Sequence, residues 1–188
     1  MKYISLLVRV FQDVLADKTR RKVSQRQVSV YCNDLAQIIR QNYEPNLIVA
    51  IDTGGSIPAE LIAQELGIPV VHLVVRRNIS IARRYALDPI PLRWVMSIYH
   101  HFLFHTVKPV VSVGGDIGVF GKKVLIVDDT IHTGATVDVA INYLRQANVL
   151  EIKTASLAYV SERKPDFSVL PSGNYSFPWS KDYDNSEA

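Results

Sequence analysis

Two aspartates stand side by side in the stretch KKVLIVDDTIHTGATV, which begins at Lys122. Asp128 and Asp129 follow the apolar run 124–127 and precede His132, Thr133, Gly134, Ala135 and Thr136. Adjacent carboxylates repel and raise each other's proton affinity, so a neighbouring cation or a hydroxyl-rich ligand would help to account for them. Carboxylates accept hydrogen bonds from sugar hydroxyls and ligate hard cations such as Mg²⁺. Gly134 lets the backbone approach an anion closely, and the N–H groups of a turn into a helix face that anion with the positive end of the helix dipole. The threonine hydroxyls add donors. Together these residues form a phosphate cradle without the lysine of a GxxxxGK[ST] loop. An Asp or a Thr at a strand end is an ordinary capping feature when it stands alone; the combination points to a ligand.

Other groups of residues could also do chemistry. Asp52, Thr53, Gly54 and Gly55 form a second glycine turn, which taken alone is an ordinary strand-to-helix connection. The basic stretch RRNISIARR brings Arg76, Arg77, Arg83 and Arg84, which could clamp an anion or form a solvated face. His101 and His105 are a helical turn apart with His100 beside them, but no third ligand type lies near, so exposed or packed histidines are the better reading than a metal site. Near the C-terminus, Tyr175, Phe177 and Trp179 could wall a planar heterocycle or simply pack.

These groups need elements to hold them. LIVAID (Leu47–Asp52) reads as a buried strand, followed by the TGGS turn and a helix over 57–66 that Gly67 closes, with Pro69 beyond it. VVHLVV (70–75) is a second strand, giving a βαβ unit of the right-handed kind. The strand 124–127, a helix over 135–148 and the strand IKTASLAYV (152–160) repeat the alternation. It predicts an α/β fold, a parallel sheet with helices on both faces. Ligands gather at the carboxyl ends of such strands, where both glycine turns fall.

Two amphipathic helices precede the sheet. Ile4, Leu7, Phe11 and Val14 mark the first; Val28, Tyr31, Leu35 and Ile38 mark the second, with Ser24 as N-cap and Pro45 past its end. The segment 76–122 breaks the alternation. It is expected to form a lid-like insert with a helix after Pro91 and a hairpin around Gly114 and Gly115. A single domain over 1–188 is expected, with N-terminal helices in 1–45, the insert at 76–122, a hood segment at 160–180 and a frayed tail.

Composition sets the class. With 188 residues, 48% hydrophobic and 21% charged, the chain is expected to be a globular protein with a real core. A net charge of +3, scattered along the chain, fits small anionic ligands and gives no ground for nucleic acid. Arg9 and Asp13 interrupt the apolar N-terminal run and no uninterrupted run approaches the length of a bilayer span, so no membrane partner and a cytoplasmic location are expected. Cys32, the single cysteine, is read as a small buried apolar residue.

VLIVDDTIHTGAT resembles the phosphoribosyl pyrophosphate (PRPP) binding motif of type I phosphoribosyltransferases: an apolar strand, two acidic residues, a spacer and TGxT. LIVAIDTGGSIPAELIAQELGIPV is similar to the pyrophosphate loop and following helix of the bacterial and archaeal xanthine and hypoxanthine-type members. KPDFSVLPSGNYSFPW looks like their closing PDY…FPW segment. The resemblance covers most of the chain from Leu47 onward except the insert. It implies the type I fold with a hood, ribose contacts by Asp128 and Asp129, a catalytic part for them and for His132, and 5′-phosphate binding by Thr133, Gly134, Ala135 and Thr136. It further implies pyrophosphate binding by Asp52, Thr53, Gly54 and Gly55, a lid carrying Arg83 and Arg84, and base contacts by Tyr159 and Tyr175. Mg²⁺ is the implied cofactor, bound through PRPP with Asp128 and Asp129 as further ligands, and PRPP and a nucleobase, a purine first, are the implied partners. A homodimer is also open.

Departures from the family pattern bear on chemistry. Thr53 stands where the loop has Arg or Lys, and Tyr159 where a lysine contacts the exocyclic oxygen of an oxopurine, with Lys164 several residues later. His132 replaces a spacer aspartate and could take a proton or bond the phosphate. The expected activity is Mg²⁺-dependent transfer of ribose 5-phosphate from PRPP to a base in purine salvage. The alternative is a non-catalytic PRPP- or nucleotide-binding regulatory protein of the same fold.

Overall fold

The computed structural model describes residues 20–52, 54–77, 109–111, 117–160, 163–180 and 183. In chain order they form β1 (Arg21–Lys22), α1 (Gln25–Asn42), β2 (Leu47–Asp52), α2 (Ser56–Leu66), β3 (Val70–Arg77) and β4 (Pro109–Val111). Then come β5 (Lys123–Ile131), α3 (Ala135–Gln146), β6 (Glu151–Tyr159), β7 (Phe167–Ser168) and β8 (Tyr175–Ser176). The expected first helix, the helix after Pro91, Thr53, Arg83, Arg84 and the three neighbouring histidines at 100, 101 and 105 lie outside the described residues.

Six strands form one sheet in the order β4-β3-β2-β5-β6-β7, parallel throughout except for the antiparallel β3/β4 pair. The turn expected around Gly114 and Gly115 lies outside the described residues. Pro109–Val111 runs beside Val75, Arg76 and Arg77 at the sheet edge, and 117–122 carries no strand. Arg76 and Arg77 therefore belong to β3 rather than to the insert.

Alternation along the strands divides the core in two. Ile48, Ala50, Leu125, Val127, Ala155 and Leu157 face α1 and α2, while Leu47, Val49, Ile51, Val124 and Ile126 face α3. Helices thus cover both faces, as the apolar runs of these strands require. In α1 the buried stripe is Val28, Cys32, Leu35, Ala36 and Ile39. Ile38 lies about 100° round the helix from Ile39 and is 37% exposed. Ser24 caps this helix, with the Gln27 amide donating to its hydroxyl oxygen and its own amide donating to the Gln27 side chain.

The chain leaves β2 toward β3 and leaves β5 toward β6, in opposite directions across the sheet. The turns after β2 and β5 consequently meet at a topological switch point, where a crevice opens. β5 is longer than the apolar run 124–127 and carries both aspartates inside it. Its pairing with β2 stops at Ala50↔Val127, whereas pairing with β6 continues through Asp128↔Ser156 to Ile131↔Tyr159. The aspartates therefore sit on a supported strand whose other edge has just been released.

Candidate functional site

Sterics show how closely the two turns meet. A Cβ on Gly54 would lie 2.4 Å from Asp129 Oδ2, and one on Gly55 would lie 2.4 Å from the Val127 carbonyl oxygen and 2.7 Å from that of Ile51. A Cβ at Gly55 would strike backbone and one at Gly54 would displace the Asp129 carboxylate, so the close approach depends on both glycines. The Gly55 amide already donates to the Ile51 carbonyl at 2.9 Å and is not a pyrophosphate donor in this conformation. The amides of Ser56 and Ile57, in the first turn of α2, have no acceptor within the helix, and no side chain caps it.

Asp128 and Asp129 are held on the carboxylate side of this junction. The Asp129 amide donates to Asp128 Oδ1 at 2.9 Å, and the Thr130 amide donates to Asp129 Oδ1 at 2.6 Å. Burial, and then the adjacent Asp129 charge, push the Asp128 carboxyl well above the usual carboxylate range. Burial raises Asp129 too, while the Trp179 indole, the Thr130 amide and the charge of His132 draw it back. A sugar hydroxyl or a hard cation would relieve this pair.

Downstream, a small open concavity of about 50 Å³ is lined by Asp128, Thr130 and His132 on the strand side and by Thr133, Gly134 and Thr136 on the helix side. Gly134 is the N-cap of α3 and has φ 77°, a left-handed conformation that a glycine adopts without strain. The Ala135 amide lies 3.4 Å from Thr133 Oγ1, and the Asp138 amide donates to the Gly134 carbonyl at 2.8 Å. The expected cradle residues are thus brought into one hollow at a helix start.

Other candidates take different positions. The Asp52 carboxylate accepts from Ser56 Oγ and lies 3.0 Å from His72 Nδ1, and His72 Nε2 lies 3.0 Å from Glu60 Oε1. Burial works to raise Asp52, but the hydrogen bonds of Ser56 and His72 and the His72 charge leave it below its ordinary value. His72 is raised, by Asp52 first, against its burial, and by Glu60. Asp52 therefore anchors the strand end below the glycine turn instead of reaching for an anion.

The two tyrosines expected at the base pack against different halves of the core. Tyr159 packs against the α3-side core, whereas Tyr175 packs against the α1/α2-side core. Tyr175 pairs in β8 with Arg21 of β1, its hydroxyl donates to the Pro171 carbonyl at 3.2 Å, and the Arg21 guanidinium lies 5.9 Å from its ring centroid. The side chain that reaches the carboxylates is Trp179, whose Nε1 donates to Asp129 Oδ2 at 2.7 Å. β8 ends at Ser176 and the chain turns at once, the Ser180 amide donating to the Phe177 carbonyl at 2.8 Å, and the three rings stack in series: Tyr175 on Phe177 at 6.5 Å, Phe177 on Trp179 at 5.2 Å and 6°. The sequence marks Trp179 as an aromatic of the closing segment but does not reveal its contact with Asp129. His72 and Arg163, which packs over Gly134, had no motif to mark them.

Residues 98–182 match the phosphoribosyl transferase domain family. Among solved structures, a purine phosphoribosyltransferase from Pyrococcus horikoshii is similar at TM-score 0.66 and 27% identity, over 88% of this chain and 97% of that one. A Helicobacter pylori xanthine-guanine-hypoxanthine phosphoribosyltransferase gives TM-score 0.60 at 14% identity, over 87% and 95% of the two chains. A hypothetical protein from Neisseria gonorrhoeae with bound ppGpp gives 0.59 at 20% identity, over 86% and 90%. The last two likenesses carry the fold alone. The expected α/β type I architecture, with helices on both faces, is borne out.

Proposed function

We propose that the chain is a PRPP-dependent enzyme that transfers ribose 5-phosphate from PRPP to a purine base, forming a nucleotide and releasing pyrophosphate, a reading supported by the phosphoribosyl transferase domain match over 98–182 and by the likeness to the Pyrococcus purine phosphoribosyltransferase. One observation carries this reading: the Asp128–Asp129 pair lies directly against Gly54 at a switch point, with the Thr133–Thr136 turn beyond it. Sugar, pyrophosphate and 5′-phosphate subsites would then be contiguous. The choice of a purine is supported by the likeness to the Pyrococcus purine phosphoribosyltransferase and by the aromatic stack that ends on Asp129.

In this reading Asp128 and Asp129 accept the ribose hydroxyls and oppose the positive charge that develops at C1 as the C1–oxygen bond to pyrophosphate breaks. The first-turn amides of α2 hold the leaving group, and the α3 turn fixes the 5′-phosphate, so that C1 stays aligned with the base nitrogen. His132, exposed at the rim, is placed to take the proton that the base gives up or to bond the phosphate. Trp179, backed by the buried Phe177, offers an apolar wall to the base.

The paired carboxylates fit Mg²⁺, and among the described residues no group of three His, Cys, Asp or Glu is gathered to cage a metal. An ion held by one or two carboxylates would complete its shell with pyrophosphate oxygens and water, as Mg²⁺ prefers. When bound, it would neutralise charge on the departing pyrophosphate.

The test is an assay of the purified protein with PRPP, Mg²⁺ and a panel of nucleobases, read as pyrophosphate release and nucleotide formation. A nucleotide from at least one purine is expected. PRPP binding without turnover on any base would overturn transfer and leave the non-catalytic alternative.

A further inference from the structure

Arg163 lies across the start of α3. A Cβ on Gly134 would be 2.6 Å from Arg163 Cγ and 3.6 Å from its Cδ, so the arginine stem rests on the glycine of the cradle. The guanidinium ends on Asp138, Nη2 to Oδ1 at 2.6 Å, and both side chains are about half exposed. Asp138 stands in the first turn of α3. Its charge suits the helix dipole but opposes any dianion bound at the same helix end.

We propose that Arg163 is a further 5′-phosphate-binding residue, which exchanges Asp138 for the phosphate when the donor binds. This inference rests on the PRPP reading and extends it. With the stem seated on Gly134, only the outer torsions of the side chain need to turn to bring the guanidinium over the hollow. An exposed ion pair is weak, whereas a guanidinium on a phosphate makes paired charge-assisted hydrogen bonds. In the ligand-free protein, Asp138 holds the arginine ready and Arg163 masks the acid that would otherwise repel the ligand. Arg145 and Lys164 line the open groove on the far side of Arg163 together with Asp166, which is itself engaged by Lys153 and Thr154. The two basic residues add positive field on the approach to the site.

The two partners of the pair should have opposite effects. Calorimetric titrations of the full chain with PRPP, ribose 5-phosphate and pyrophosphate, each with Mg²⁺, read them out. Arg163→Met keeps the stem and loses the charge; affinity for ribose 5-phosphate and PRPP should fall roughly tenfold, with pyrophosphate unaffected. Asp138→Asn removes the repelling acid and releases the arginine, so ribose 5-phosphate should bind a few-fold more tightly. If the pair is only a structural clip, both variants will weaken binding together or neither will change it, and either outcome overturns the inference. Failure of the unmodified protein to bind PRPP would overturn the donor reading and this inference with it, whereas normal binding with an unchanged Arg163→Met overturns this inference alone.

Discussion

The indole of Trp179 donates to Asp129 Oδ2 at 2.7 Å, joining the closing aromatic segment to the acidic pair. The hydrogen bond favours the ionised form of a carboxyl that burial pushes toward the protonated one. Trp179→Phe retains a ring to stack on Phe177 and deletes the donor. A charge-assisted hydrogen bond is worth roughly 1.5–3 kcal/mol, so the ligand-free variant should lose stability on that order, and PRPP affinity should fall with the loss of the carboxylate's positioning. Titration calorimetry beside a melting curve checks both halves. In a Trp94→Phe background, the fluorescence of Trp179 should also change as PRPP saturates the protein.

Gly54 and Gly55 are adjacent yet should fail differently when replaced. The Cβ of Gly55→Ala meets the backbone oxygens of Val127 and Ile51, which cannot swing away, so this variant should lose on the order of 2 kcal/mol in urea unfolding. The Cβ of Gly54→Ala meets the Asp129 carboxylate, a side chain that can turn aside. That variant should stay close to the parent in stability and lose PRPP binding. Equal stability losses in the two would contradict the contact geometry.

The alternation of apolar strands and helices was legible because a strand buried on both faces must be a continuous apolar run, as 47–51 and 124–127 are. The acidic pair and its TGxT turn were legible because phosphate and sugar chemistry needs those residue types in that order. Partners from distant parts of the chain were not. Nothing local to Trp179 says that its Nε1 meets a residue fifty positions earlier in the chain. Tyr175 and Trp179 share one periodic aromatic pattern, and only the β1/β8 pairing decides which ring ends beside Arg21 and which reaches Asp129. The ties of the Asp52 carboxylate are hidden for the same reason, since His72 and Glu60 lie on other elements.

Replacing Asp128 with asparagine should separate stability from function. Asp128 is pushed up by burial and by its neighbour, so in the ligand-free protein its ionisation opposes folding. The folded state binds this proton more tightly than the unfolded state, and stability is lost as pH rises above the ordinary value of 3.8. Asp128→Asn should accordingly be more stable than the parent near neutral pH, because the neutral amide carries no charge into the buried site. It should also lose most PRPP affinity. Thermal melts with and without PRPP and Mg²⁺ check this: the parent is stabilised by ligand according to its occupancy, and the variant is not.

The Asp52–His72–Glu60 chain gives a pH dependence in a different window. His72 is raised above its ordinary 6.5 by Asp52 first and by Glu60, so its contribution to stability is full below 6.5 and is lost as pH rises through the raised value. Asp52 is lowered from 3.8, so its contribution holds above 3.8 and is lost as pH falls through the lowered value. The clip is therefore at full strength between 3.8 and 6.5. His72 is 41% and Glu60 60% exposed at the side chain, so solvent screening limits the effect to roughly 0.5 kcal/mol. In urea unfolding, the difference between the parent and His72→Gln should be measurable at about pH 5.5 and should vanish by about pH 9. The clip ends at Asp52, immediately before the glycine turn, and a looser strand end loosens the amides that would grip pyrophosphate. Pyrophosphate affinity of the parent should fall over the same rise in pH, and His72→Gln should flatten that dependence; an unchanged slope in the variant would show that the clip acts on stability alone.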